Sequence, residues 1–182
     1  MGYTFLSSQT ASDSSSIDFT SGIDGTYNEY LFTIVNFTPA TDGKRICFQV
    51  DTGTLTAYDQ TITSATFSAG QSEDGGWSSL SYESSQDQGQ GTALQKLSYS
   101  GEANVASSGI SGQLTLYDPS SSTYVKHFMA TTNVQYLSGS TTYCIALHAA
   151  GYINTTTALT RVRFAAEADN IDTGTFTLYG VG

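Results

Sequence analysis

Basic residues are scarce in this chain. Lysine and arginine number six among 182 residues, against sixteen aspartates and glutamates, giving a formal net charge of −10. The six are Lys44, Arg45, Lys96, Lys126, Arg161 and Arg163, and no segment clusters them. A nucleic-acid backbone is held by clustered cations that release its counterions, so nucleic acid is not expected as a partner. Anionic membranes are disfavoured for the same reason. No stretch approaches the ~18 apolar residues of a membrane span, and the opening MGYTFLSSQTASDSSS has neither the basic start nor the apolar run of a secretory signal. No membrane partner is expected.

Other shortages narrow the field further. Two prolines exclude a proline-rich linker or a collagen-like chain. Two cysteines, Cys47 and Cys144, lie in the apolar runs RICFQV and TTYCIALHAA. Their expected state is a pair of buried thiols, inert in a reducing compartment. Two histidines, His127 and His148, supply no CxxC or HxxxH spacing. GxSxG and Gly-rich phosphate motifs are missing too. Sixteen acids make some carboxylate pair inevitable, so Glu73, Asp74, Glu83 and Asp87 carry little weight as a glycosidase pair. No catalytic, metal or cofactor site is expected. The hydrophobic share of 38% is below the usual ~45–50%, and no window sustains apolar residues at helical spacing.

Serine (25), threonine (27) and tyrosine (12) fill the chain instead. Thr and Tyr suit strands; Ser and Gly suit turns. Short runs of strand type recur between Gly, Ser, Asp and Asn. They include SIDFTSG, where Ile17 and Phe19 alternate with Asp18 and Thr20, and RICFQV, ALQKLSYS, SGQLTLYD, TTYCIALHAA, LTRVRFAA and GTFTLYG. Leu31 to Phe37 is nearly all apolar and predicts a strand covered on both faces. In QTITSATFSA the anchors are Ile62 and Phe67. LYDPSSSTYVKHFM predicts a hairpin, with Pro119 at the second turn position. LTLY near Leu114 is echoed by FTLY near Phe176, as two strands under similar burial would converge.

These signals predict one all-β domain over residues 1–182. It is an antiparallel β-sandwich, jelly-roll-like, with one long polar excursion at residues 70–91. The predicted core is Leu31, Phe32, Ile34, Val35, Phe48, Leu114, Leu116, Phe128, Val162, Phe164, Phe176 and Leu178. The excursion holds the sole tryptophan, Trp77, and predicts a short hairpin around Trp77–Tyr82. The candidate interaction surface is Trp77 and Tyr82, with Arg161 and Arg163 as a basic pair able to meet acidic partners.

Three stretches together carry a resemblance: IDFTSGIDGTYNEYLFTIVNFTPATD (Ile17–Asp42), LYDPSSSTYVKHF (Leu116–Phe128) and GYINTTTALTRVRFAAEADNIDTGTFTLYG (Gly151–Gly180). They resemble small virion structural or tail-fibre-like proteins of tailed phages, many marine and including phages of cyanobacteria. The middle, Gln49 to Gly109, carries none of it. The resemblance implies a non-enzymatic protein of the virion, assembled in the host cytoplasm. Its partners would be itself, as a homotrimer, and the major capsid protein or other virion proteins. Decoration or cementing of the capsid is the leading expectation, because heptads and an anchor domain are lacking. The alternatives are a tail-fibre or receptor-binding module, with host surface glycans as ligand, and a carbohydrate-binding β-sandwich outside any virion.

Overall fold

The computed structural model describes residues 2–100 and 108–182. Among them the regular structure is all strand: β1 (Tyr3–Ser14), β2 (Ile17–Phe19), β3 (Glu29–Pro39), β4 (Ile46–Thr52), β5 (Ile62–Ser72), β6 (Ser78–Tyr82), β7 (Gln95–Lys96), β8 (Ile110–Tyr117), β9 (Lys126–Ser138), β10 (Thr141–Ile153), β11 (Leu159–Ala166) and β12 (Ile171–Val181). They form an eight-stranded sheet, β1-β12-β3-β8-β9-β10-β5-β6, and a four-stranded sheet, β2-β11-β4-β7. Both sheets are antiparallel throughout. The pairs β1·β12, β2·β11, β3·β8 and β4·β7 are nested, first with last, and alternate between the sheets. The hairpins β5-β6 and β9-β10 extend the larger sheet beyond β8.

Phenylalanine joins the two layers. Phe19 and Phe164 of the smaller sheet meet Phe32 of the larger edge-on, at 5.3 and 5.4 Å between ring centroids. Phe164 also lies 5.3 Å from Phe176, and Phe48 lies 4.9 Å from Phe128. Such offset contacts add ~0.5–1.5 kcal/mol each beyond the area they bury. β4 is buried along its whole length, because its outward side chains are covered by loops. Gln49 Nε2 donates to the carbonyls of Gln60, Thr92 and Ala93 at 2.9–3.2 Å. The Asp51 carboxylate accepts from the backbone of Thr52 and Tyr58.

The repeated LTLY and FTLY have a common cause. β8 and β12 flank β3 on either side, and Phe32 is opposite Leu114 in one and Leu178 in the other. Leu114 and Leu116, like Phe176 and Leu178, point into the core. The Pro119 turn is also present: Ser121 N–H donates to the Asp118 carbonyl at 3.1 Å.

Several expectations are corrected. Val35 is 48% exposed rather than buried. Asn36 takes a left-handed φ of 53° and the register slips between Ile34 and Phe37. Alternation alone sets Val35 outward, opposite Ile34, where nothing covers it, and the bulge returns Phe37 to the core; β3 is buried on both faces only at Tyr30–Phe32. Phe67 is exposed, because the inward positions of β5 are Thr66, Ser68 and Ser72. Its ring stacks on His148 of the next strand at 4.9 Å. Within residues 70–91, Gly70–Ser72 completes β5 and β6 pairs with it from Phe67↔Tyr82 to Gln71↔Ser78, the hairpin expected around Trp77–Tyr82, so only the part beyond Tyr82 is an excursion without a named strand.

Cys47 is buried, but Cys144 faces outward from β10 and is exposed; both are free thiols. Burial, assisted by the nearby Glu167 charge, pushes the Cys47 thiol up to about 12. A thiol that far from ionising does not react at neutral pH. A chromogenic disulfide reagent is expected to modify one thiol in the native protein and two in denaturant; two fast reactions under native conditions would contradict this placement.

Candidate functional site

The larger sheet outreaches the smaller one, and the far end of its inner face is closed by other means. The segment from Glu83 to Ser98 lies across it. Glu83 N–H donates to the Thr66 carbonyl, Gln88 N–H to Ser64 Oγ and Thr132 Oγ1 to the Leu97 carbonyl. Beside that segment four aromatic rings form a chain. Trp77 meets Tyr143 edge-on at 5.4 Å, Tyr143 lies 6.2 Å from Tyr136, and Tyr136 meets Tyr99 edge-on at 5.6 Å. They line a groove of about 210 Å³ with Ser138 and Ile145. A narrower recess of about 60 Å³ continues from it, sharing Trp77, Tyr99 and Ile145 and adding Ser68, Ser79, Ser81 and Glu83.

Local sequence explains how these rings are held. Ser138 and Thr141 pair across Gly139–Ser140, with Gly139 at a φ of 63°. A glycine at the first central position suits a tight hairpin turn. The register that follows sets Tyr136 directly opposite Tyr143. Trp77 enters from the turn SEDGGW. There Ser72 Oγ donates to Asp74 Oδ1 at 2.6 Å, Gly76 N–H donates to the same oxygen at 2.9 Å, and Trp77 N–H donates to Ser72 Oγ at 2.9 Å. These bonds, the Ser72 hydroxyl first, hold the Asp74 carboxyl below its ordinary range. The indole lies over Gly70, where an added Cβ would meet it at 2.7 Å.

Trp77 and Tyr82 therefore face opposite sides of one sheet. Period two along β6 sends Ser79 and Ser81 into the recess, and Leu80 and Tyr82 to the outer face. Tyr82 donates its hydroxyl to Asp87. With Asp74 braced in the turn and Glu83 in the recess, the four acids of the segment do not share one site. Composition and motif alone do not single out Tyr99, Tyr136 and Tyr143. Counting three residues outward from each side of Gly139–Ser140 finds the last two.

Arg161 and Arg163 sit on the other sheet, in β11. Arg163 is already paired: its Nε and Nη2 donate to the two carboxylate oxygens of Asp18 at 2.8 and 2.6 Å, and its guanidinium lies 3.9 Å from the centre of the Tyr58 ring. Arg161 Nε donates to the Gly53 carbonyl at 3.2 Å. The paired Arg163 has little left to offer an acidic partner. His148 shares the outer face of β10 with Cys144 but bonds to Thr131 at 3.2 Å. No group of three or more His, Cys, Asp or Glu converges among the described residues.

The outer face of the larger sheet is the second candidate surface. One register row runs Tyr82, Phe67, His148, Thr131, Gln113 and Thr33 across β6, β5, β10, β9, β8 and β3. Within those six strands the only charged residues are Glu29, at one margin, and Lys126, which is buried. Leu80 (73% exposed), Met129 and Val35 stand on this face among threonines and serines. The acidic residues lie almost wholly elsewhere. No protein-family model, curated protein or solved structure matches this chain.

Proposed function

We propose that this chain is a non-enzymatic structural protein of a phage particle, which decorates the capsid by docking the outer face of its eight-stranded sheet. One observation carries the reading. A chain with a net charge of −10 keeps six adjacent strands free of outward charge, Glu29 apart, while leaving Leu80, Met129 and Phe67 in water. Charge depletion with exposed large apolar groups marks the core of an interface. The phage assignment comes from the resemblance of the three stretches above. The nested, alternating strand pairs support a jelly-roll-like reading, an architecture used in viral shells and lectins. Trimeric copies around local threefold axes would repeat one docking patch in each subunit.

Stoichiometry tests this. Quantitative mass spectrometry of purified particles and of tail-less heads is expected to find the protein on heads, in copies comparable with the major capsid protein. Met129→Glu, which sets a charge in the middle of the docking face, should release it from particles without unfolding it. Absence from particles overturns the reading. Presence on tails alone replaces decoration with the fibre or receptor-binding module.

A further inference from the structure

We infer that the aromatic groove on the inner side of β6, β9 and β10 is a binding site for one neutral pyranose ring of a saccharide. This is independent of how the outer sheet face docks.

The argument begins with Trp77. It is 43% exposed, yet its position is fixed from three directions. The turn bonds its backbone to Ser72, Tyr143 meets its ring edge-on, and Gly70 leaves the space its ring fills. Holding an exposed aromatic so firmly gives little to the core. It provides a flat, ordered π-face bordering a cavity.

The recess beside it is chemically different. Three serines and Glu83 line it. Glu83 Oε1 accepts from Ser68 Oγ at 2.6 Å, and its carboxylate takes no other hydrogen bond among the described residues. A ligand here meets a π-face on one side and hydroxyls with an open carboxylate acceptor on the other.

A pyranose satisfies both. Its axial C–H groups carry partial positive charge and pack on the negative face of an aromatic ring. Its rim of hydroxyls donates to a carboxylate and exchanges bonds with serines. An apolar peptide side chain would cover the rings but leave the Ser and Glu groups desolvated and unpaired, which costs affinity. Phosphate, sulfate or uronate would face Glu83 in a strongly acidic chain. The cavity falls below the ~300–1,000 Å³ of sites for drug-sized ligands, and so suits a single ring, with neighbouring residues of a longer saccharide leaving through the open side.

Trp77 is the only tryptophan, so intrinsic fluorescence reads this groove directly. Wild-type protein is titrated with methyl glycosides of neutral hexoses and N-acetylhexosamines, and with glucuronic acid, after a glycan array has ranked longer chains. A saturable emission change with a neutral sugar, and none with the uronate, is expected. Tyr143→Ala, which keeps the reporter, should weaken binding about tenfold, the loss of one aromatic contact. Gly70→Ala should displace the indole, shift the emission of the free protein and abolish the response. Glu83→Gln should admit the uronate. Trp77→Ala, read by calorimetry, should lose binding while circular dichroism stays unchanged. No saturable response to any neutral saccharide overturns the inference. So does binding indifferent to both Tyr143→Ala and Gly70→Ala, or a preference for the uronate.

Discussion

Phe164→Ala is expected to destabilise the protein by about 3–5 kcal/mol, the range for a large side chain removed from a core that cannot collapse around the gap. The ring is fully buried and touches both layers: Phe19 on its own sheet at 6.2 Å, and Phe32 and Phe176 on the facing sheet at 5.4 and 5.3 Å. Those neighbours are rings fixed by strands on either side, so they cannot close the void. In a domain of this size each kcal/mol moves Tm by ~2–4 °C, and the loss should appear as a lower urea midpoint at unchanged slope. Val35→Ala is the internal control. It truncates an apolar strand residue of the same sandwich, but one on the exposed face beside the β3 bulge, and should change stability by no more than ~0.5 kcal/mol. A loss below about 1 kcal/mol for Phe164→Ala would mean that the two sheets do not meet through this cluster.

The contrast between Phe164 and Val35 shows where sequence reading works. Along β11 the alternation of Val162 and Phe164 with Arg161 and Arg163 names the buried face directly, because the strand is regular there. Along β3 the same arithmetic sets Val35 outward, on a face that no layer covers there, and fails only at Phe37. The left-handed Asn36 inserts one residue, and a bulge leaves no mark in hydrophobic periodicity. β5 fails for a different reason. Its inward residues Thr66 and Ser68 lie against the chain at Glu83, before β7, and Ser72 bonds its own turn at Asp74 and Trp77, while Phe67 finds its partner in His148 on the outside. Polarity there reports local cover, not depth in the molecule. The groove mixes both cases. Tyr136 and Tyr143 follow from a Gly-Ser hairpin and a count of three. Tyr99 arrives from an irregular stretch just past β7, and its place depends on tertiary packing that no local pattern encodes. Trp77 is conspicuous as the sole tryptophan, but its orientation depends on Gly70, seven residues away on the partner strand.

Lys126→Met is expected to cost about 3 kcal/mol, the scale of stranding buried carbonyl acceptors less the recovered desolvation of the charge, and its effect should be local before it is global. Lys126 has no exposed surface. Its ammonium donates to three backbone carbonyls: Ser121 at 2.6 Å, Tyr124 at 2.9 Å and Thr155 at 3.2 Å. Burial draws the amine below the ordinary lysine value, with Asp118 pulling weakly the other way. Two terms oppose each other in the substitution. Removing a buried charge recovers its desolvation cost, which is why whole ion pairs can be replaced by apolar residues without loss. Here only one side can be replaced. The carbonyls belong to the main chain, and each left without a donor costs ~1–3 kcal/mol, less where water reaches it. The stranded acceptors outweigh the recovered desolvation. They also lie in two separate connections, the turn after β8 and the loop between β10 and β11. Those connections are otherwise linked by Leu159 N–H to the Pro119 carbonyl at 2.8 Å. Lys126 thus clamps one end of the sandwich. Hydrogen exchange should quicken in Lys126→Met at the amides of residues 121–125 and 154–157, while the Phe164 cluster keeps its protection until global unfolding. A stability change below ~0.5 kcal/mol, the scale of surface substitutions, with exchange unaltered at both connections, would show that the ammonium is not what holds them together.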